Sequence, residues 1–201
     1  MTTARLILAS GSPRRRELLT QAGFRFEIDV ADTDESLIEG EGSVAATSRL
    51  AMEKALAVVE RRKLASGGAP EWVLAADTTV VLGERIFGKP TSVSDAADML
   101  LSLAGRNHWV LTAWALLPLG LPGATAECGI TRSTVRMREI SRRDAESYAA
   151  SGEPMDKAGS YAAQGEGRRF IGAIVGPLDN VIGLPMAPVG AALQRGGILP
   201  S

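Results

Sequence analysis

LILASGSPRRRE (residues 6–17) decides the fold of this chain, because a short apolar run passes directly into a polar, arginine-rich segment. Residues 6–9 predict a buried β-strand, and Pro13 suits the first position of the helix that follows. The start of a helix exposes backbone N–H groups and carries a partial positive charge. Because Ser10, Ser12 and the arginines lie at that start, the segment is suited to binding a polyphosphate. The alternative is a surface helix with an N-cap whose arginines are only solvated.

Outward from this segment, predicted strands and helices alternate along the 201 residues. The predicted strands are 5–9, 24–30, 72–76, 108–117, about 130–140 and 170–175, with a hairpin over 78–88 and a turn at 176–180. The predicted helices are 13–22, 43–65, 94–103 and 186–195, with another that begins at the Ser141 cap and stops at Gly152. This alternation predicts a single α/β domain over residues 1–201, with a mixed sheet in two lobes.

Composition excludes several functional classes. The formal net charge of −1 gives no overall electrostatic reason to expect a nucleic acid or an anionic membrane as partner. Cys128 is the only cysteine and His108 the only histidine, which excludes a disulfide framework and cysteine-rich or histidine-rich metal sites. The apolar run 109–117 is shorter than the ~18 residues of a membrane span, and no signal peptide is visible. We therefore expect a cytoplasmic protein whose chemistry, if it is an enzyme, comes from carboxylates, lysines and a hard metal ion.

Carboxylates follow two of the predicted strands. Asp32, Asp34 and Glu35 come after the second strand, and such a group suits Mg²⁺ or Mn²⁺, which prefer oxygen ligands. The alternative for these three residues is an ordinary acidic turn. Asp77 directly follows the apolar run 72–76, where a carboxylate at the sheet edge can hold a metal ion or accept a proton from water. Its alternative role is to close a turn through its own side chain.

Lysine and glutamine side chains add candidate ligand contacts. Lys89 lies between a glycine and a proline that fix the loop, and it could reach a phosphate. Lys54 belongs to a charged helix, a context typical of a solvated face. Gln164 lies in a glycine-rich loop and offers both a donor and an acceptor to the edge of a nucleobase. In the same loop, Asp156 and Lys157 could form a salt bridge.

Structural roles are predicted for the histidine and the tryptophans. His108, at the mouth of a strand, is interpreted as a hydrogen-bonded structural residue in preference to a catalytic one. Trp72, Trp109 and Trp114 lie within apolar strand runs and are assigned to the core or to a lobe interface.

Taken in order, these clusters resemble the Maf family of nucleoside triphosphate pyrophosphatases. The matching stretches are LILASGSPRRRELL, DESL (34–37), ADTTVV (76–81), GKP (88–90), GRNHWVLTA (105–113), EPMDKAGSYAAQGEG (153–167) and NVIGLP (180–185). The resemblance implies a two-lobed fold around a deep cleft, usually in a homodimer. It also implies hydrolysis of a nucleoside triphosphate between the α and β phosphates, with a divalent cation such as Mg²⁺ or Mn²⁺.

The resemblance assigns roles to individual residues. The general base matches Asp77, and the cation would be held by Glu35 and Asp77. The substrate contacts match Ser10, Ser12, Arg14, Arg15, Lys54, Thr78, Lys89 and Gln164. This set is similar to the subfamily that favours dTTP and UTP, whereas the subfamily acting on 7-methyl-GTP lacks the glutamine–glycine element. Ala162 and Ala163 depart from the bulkier residues often found before that glutamine, which leaves the fit of the base open.

Two other functions remain as alternatives. The chain could bind nucleoside triphosphates without turnover, as a regulator of cell division, since Maf proteins are also linked to septum formation. It could instead bind nucleic acid through Arg14, Arg15 and Arg16. The net charge of −1 speaks against the second alternative.

Overall fold

The structure is a computed structural model that describes residues 4–65 and 70–201. Its strands are β1 (Arg5–Leu8), β2 (Glu27–Ile28), β3 (Glu71–Leu82), β4 (Arg85–Phe87), β5 (Asn107–Leu119), β6 (Glu127–Met137) and β7 (Ile171–Val175). Its helices are α1 (Pro13–Gln21), α2 (Ser43–Ala65), α3 (Val93–Leu103), α4 (Arg142–Ala150), α5 (Leu178–Ile182) and α6 (Met186–Arg195). Short 3-10 helices span Glu153–Asp156, Ala158–Ser160 and Gly165–Phe170.

The strands form a mixed sheet, as predicted. Its order is β2-β1-β3-β5-β6-β7, and β4 pairs with β3 outside this path. β1 pairs in parallel with both β2 and β3. β4 pairs antiparallel with β3, and β7 pairs antiparallel with β6. The predicted α/β fold class is therefore confirmed, whereas the deep cleft stays a prediction.

Three predicted elements differ from the structure. The strand expected over 24–30 is reduced to β2, because Phe24 and Phe26 pack on the core while Ile28 and Val30 remain exposed. The runs 72–76 and 78–82 form the single strand β3, although the hairpin with β4 turns at Gly83 and Glu84 as predicted. The turn expected at 176–180 gives way to the helix α5.

The chain divides into two compact units, the first of which comprises residues 1–77, 112–131 and 183–201. Its core has two sides, because alternate residues of a strand point to opposite faces of a sheet. Leu6 and Leu8 pack with residues of α1 and α6, whereas Ile7 and Ala9 pack with residues of α2. β1 is therefore buried on both faces, which explains its uninterrupted apolar sequence.

The second unit comprises residues 78–111 and 132–182, and its core lies mainly between α3, α4 and the strands. His108 is buried there, and its Nε2 lies 2.7 Å from the Tyr161 hydroxyl. Burial lowers the pKa of His108 to about 4, so the imidazole is neutral at pH 7. The predicted structural role of this histidine is confirmed.

The prediction for the tryptophans is correct for two of the three. Trp72 and Trp114 are buried in the core of the first unit. Trp109 is 43% exposed, and the guanidinium of Arg132 lies 4.7 Å from its ring centre. The apolar run around Trp109 concealed this exposure, because a strand with one solvent-facing position can still be apolar on its other face.

Candidate active site

An ion-pair cluster lies in the first unit, where Lys54 contacts two carboxylates. Its Nζ lies 2.6 Å from Oδ1 of Asp77 and 2.8 Å from Oε1 of Glu35. The side chains of Lys54 and Asp77 are only 10% and 12% exposed, whereas that of Glu35 is 42% exposed. A buried charge is costly unless it is paired, so the two inner groups depend on each other.

The alternation of β3 explains why Asp77 faces Lys54. Val73 and Ala75 pack in the core beneath α2, and Asp77 is the next residue of the same parity. On α2, the buried residues Ala51, Ala55 and Val58 define the inward face, and Lys54 lies on that face. The solvated-face alternative for Lys54 is therefore wrong, whereas its role as a substrate contact, implied by the family resemblance, stays a prediction. The helical spacing of Lys54 from Ala51 and Val58 is a signal that could have excluded the solvated face.

The acidic segment after β2 divides into two roles. Asp34 accepts hydrogen bonds at 2.9 Å from both the backbone N–H and the hydroxyl of Ser36. These two bonds hold the pKa of Asp34 below its usual value, and they close an acidic turn. Asp32 is exposed, and only Glu35 of the three reaches Lys54. The turn and the candidate site thus occur within one segment.

Sequence reasoning missed the residue that attaches this segment to α2. Arg49 donates to the Ser36 carbonyl at 3.2 Å and to the carboxylates of Glu41 and Glu53. The spacing of Arg49 and Glu53, four residues apart on a helix, was a visible signal. The bonds of Arg49 place Glu35 next to α2 because they fix the turn that contains it.

The segment between β1 and α1 is folded onto Ser10 and Arg15. The Oγ of Ser10 accepts from the Ser12 backbone N–H at 3.2 Å and from Nη1 of Arg15 at 3.1 Å. Arg15 also donates through Nε to the Gly183 carbonyl at 2.8 Å, a contact that the sequence did not predict. Pro13 opens α1 as predicted, and the Ser12 side chain makes no capping bond.

Arg15 lies within electrostatic reach of the ion-pair cluster. Burial lowers the pKa of its guanidinium, the negative charge of Asp77 opposes this, and the positive charge of Arg14 adds to the lowering. Arginine nevertheless stays protonated in proteins. Ser10, Arg15, Glu35, Lys54 and Asp77 are thus brought together by β1, α1, α2 and β3, and Arg14 lies beside them.

The second unit carries the remaining candidates. Thr78 is half-buried next to Asp77 in the chain, and Lys89 and Gln164 are exposed. The loop of Lys89 is held by a bond from the Gly159 N–H to the Gly88 carbonyl at 3.1 Å.

The glycine-rich loop of the second unit contains the expected salt bridge and a set of hydrogen bonds to one carboxylate. Lys157 pairs with Asp156 at 2.5 Å, which confirms the salt-bridge interpretation of these two residues. Sequence reasoning missed Glu153, whose carboxylate accepts from the Tyr148 hydroxyl and from the N–H groups of Glu166 and Gly167.

Residues 4–65 and 70–201 contain neither a metal cage of protein side chains nor a helix that could cross a membrane. No three His, Cys, Asp or Glu side chains come together as a metal cage. None of the helices in these residues combines the length and apolarity that a membrane crossing needs. A site with Glu35 and Asp77 would therefore have to complete the coordination of a cation with other ligands.

Comparison with known proteins places this chain in a family. The sequence model of the Maf-like protein family matches residues 5–196. A dTTP/UTP pyrophosphatase of Myxococcus xanthus is 46% identical over 193 residues, covering 96% of this chain and 93% of that protein. A dTTP/UTP pyrophosphatase of Hahella chejuensis is 44% identical over 197 residues, with 96% and 93% of the two chains covered.

A solved structure is also similar. The crystal structure of a nucleoside-triphosphatase, or dITP/XTP pyrophosphatase, of Mycobacterium abscessus matches with a TM-score of 0.40 and 17% identity. The match covers 95% of this chain and 93% of that one. The family match and the sequence relatives span nearly the whole chain, and on their account this chain belongs to the Maf-like protein family.

Proposed function

We propose that this chain is a nucleoside triphosphate pyrophosphatase that converts dTTP and UTP to the monophosphate and pyrophosphate. The activity named for its relatives supports the reaction class. The observation that carries the proposal is the contact of Lys54 with Asp77 and Glu35 beside Arg15. A carboxylate flanked by fixed positive charges is what hydrolysis of a polyphosphate needs, because positioning and charge stabilisation dominate phosphoryl chemistry.

In this proposal Asp77 is the general base. The bond from Lys54 fixes the orientation of the carboxylate in the middle of β3. A water molecule held by Asp77 attacks the α-phosphorus, and its proton passes to the carboxylate. The bond from the α-phosphorus to the bridging oxygen breaks, and pyrophosphate leaves.

The positive groups of the first unit bind the phosphates. Arg15 offers a planar fork of donors, and the Ser10 hydroxyl keeps that fork in place. Ser12 and Arg14 flank it at the start of α1, where the helix dipole favours a negative charge. The roles that the family resemblance gives to Thr78, to Lys89 as a phosphate contact and to Gln164 as a base contact are part of the same proposal.

Glu35 and Asp77 are the residues that would hold a divalent cation. Two carboxylates suit Mg²⁺, which is commonly bound by one or two carboxylates together with substrate phosphates and water. Such a site needs no cage of protein ligands. When bound, the cation would supply neutralisation of phosphate charge and polarisation of a phosphoryl oxygen.

The experiment is a release assay for pyrophosphate with UTP, dTTP and 7-methyl-GTP, each with Mg²⁺, with Mn²⁺ and with a chelator. We expect the two pyrimidine nucleotides to be hydrolysed best and the chelator to stop the reaction. Preference for 7-methyl-GTP would refute the choice of substrate. Binding of nucleotides without release of pyrophosphate would instead identify a sensor and refute the proposed enzyme.

A further inference from the structure

The 3-10 helix Gly165–Phe170 begins directly after Gln164, which occupies its N-cap position. An N-cap residue normally satisfies the first free N–H groups of the helix with its own side chain, and Ser, Thr, Asp and Asn are preferred there. Gln164 has an extended backbone and makes no side-chain capping bond. The N–H groups at the start of this helix must therefore find another acceptor.

Glu153, eleven residues before Gln164 in the chain, supplies that acceptor. Its Oε2 accepts from the Glu166 N–H at 3.1 Å, and its Oε1 accepts from the Gly167 N–H at 3.1 Å. The buried Tyr148 hydroxyl donates to the same Oε1 at 2.9 Å. Burial acts to raise the pKa of Glu153, but the hydrogen bonds outweigh it and hold the pKa below its usual value. The carboxylate is therefore ionised and held on three sides.

The local backbone is shaped to receive this carboxylate. Gly165 has a φ of +68°, and a Cβ at this position would lie 3.0 Å from both oxygens of Glu153. A Cβ at Gly167 would lie 2.4 Å from the Tyr148 hydroxyl and 2.7 Å from the Ala162 nitrogen. Both glycines thus allow a close approach that any side chain would prevent. The carboxylate of Glu153 accounts for Gly165, and the Tyr148 hydroxyl with the Ala162 backbone accounts for Gly167.

We propose that Glu153 is a positioning residue that orients Gln164 by capping the 3-10 helix in its place, which leaves the glutamine amide available to read the base. This rests on the proposed function, in which Gln164 contacts the nucleobase. Glu153 itself touches no substrate in this proposal. Its effect is on the discrimination between bases, because it fixes the backbone from which the amide projects.

The test replaces the carboxylate with an amide of the same shape. In Glu153→Gln, either orientation of the new amide turns an NH₂ group toward a donor, so at least one of the two backbone N–H groups loses its acceptor. The matched control is Glu166→Gln, which removes the same charge from the same loop. The Glu166 side chain only pairs at 3.6 Å with Arg169, and its backbone N–H keeps the bond to Glu153.

The kcat and KM of each variant are measured with UTP and with GTP, together with the melting temperature. We expect Glu153→Gln to raise the KM for UTP and to reduce the UTP-to-GTP ratio of kcat/KM about tenfold, the size of effect that follows from one misplaced hydrogen bond. The control should keep the ratio of the wild-type protein. A Glu153→Gln variant that is folded and keeps the wild-type ratio would overturn the proposal.

A second variant covers the case in which Glu153→Gln does not fold. Tyr148→Phe removes one donor to the carboxylate and leaves both backbone bonds, so it should lower the UTP-to-GTP ratio by a smaller factor. An unchanged ratio in this variant would equally overturn the proposal. If the wild-type protein releases no pyrophosphate, the proposed function itself is refuted. If the wild-type protein prefers UTP and Glu153→Gln keeps that preference, only the role of Glu153 is refuted.

Discussion

Substitution of Asp77 by Asn separates catalysis from stability more sharply than any other change at the site. The amide keeps the shape of the carboxylate, and its oxygen can still accept from Lys54 Nζ, which lies 2.6 Å from Oδ1. A hydrogen bond to a charged group contributes about 1.5–3 kcal/mol, and only part of it is lost here, because Nζ of Lys54 keeps its ion pair with Glu35 at 2.8 Å. We therefore expect the melting temperature to fall by no more than several degrees, since 1 kcal/mol shifts it by about 2–4 °C at this chain length.

The expected effect on the reaction is larger. Loss of a positioned general base costs about 10²–10⁴ in rate, which corresponds to about 3–5 kcal/mol of transition-state stabilisation. The rate is measured as pyrophosphate release in a single turnover, and nucleotide binding is measured separately by calorimetry. We expect Asp77→Asn to bind UTP while releasing almost no pyrophosphate.

A matched control lies on the same strand. Glu71, six residues before Asp77, is also a buried carboxylate, and it pairs with Arg62 at 2.7 Å and with Arg5. Glu71→Gln should lower the melting temperature and leave the rate of the folded protein unchanged. Similar turnover in Asp77→Asn and in the wild-type protein would refute the assignment of the base, whatever the stability of either variant.

Four further predictions concern other parts of the molecule. Between pH 6.5 and about 4 the unfolded chain takes up a proton on His108 that the folded chain excludes. The free energy of unfolding should therefore fall by up to about 3 kcal/mol as the pH is lowered. Denaturant unfolding of His108→Gln should lack this pH-dependent loss. Gly167→Ala should destabilise by about 1–3 kcal/mol because its Cβ would meet the Tyr148 hydroxyl. Gly190→Ala, in a helix with open space around it, should instead stabilise by about 0.5–1 kcal/mol, and thermal unfolding measures both glycine variants. Lys89→Ala, an exposed change, should lower kcat/KM with little effect on the melting temperature, and the reverse pattern would indicate a structural role.

The elements that could be predicted are those whose pattern is local. The apolar run before Ser10 and the proline at the start of α1 determine the first turn of the site, and both were visible in the sequence. Asp77 was visible as a charged residue after an apolar run, but its expected place at the end of a strand was wrong, because β3 continues through it to Leu82. The burial of Lys54 could also have been inferred from its helical spacing, although lysines in charged helices are usually solvated.

The contacts that could not be predicted join residues far apart in the chain. The bond from Arg15 to the Gly183 carbonyl spans 168 residues, and no periodicity reports it. The same holds for Glu153, because its neighbours in sequence show only a glycine-rich loop. Trp109 was misplaced for a different reason: a guanidinium covers its ring, so an aromatic side chain can tolerate exposure without a core around it.

The two-sided burial of β3 limits insertions and deletions as well as substitutions. One core of the first unit contains Trp72, Leu74 and Ala76, and the other contains Val73 and Ala75. The face of the sheet on which Asp77 lies therefore depends on the number of residues that precede it in the strand. One residue added to or removed from this run would turn the carboxylate to the opposite face of the sheet. Homologous chains can therefore exchange one apolar residue for another along this strand. The strand cannot gain or lose a single residue before Asp77 without breaking the contact between Asp77 and Lys54.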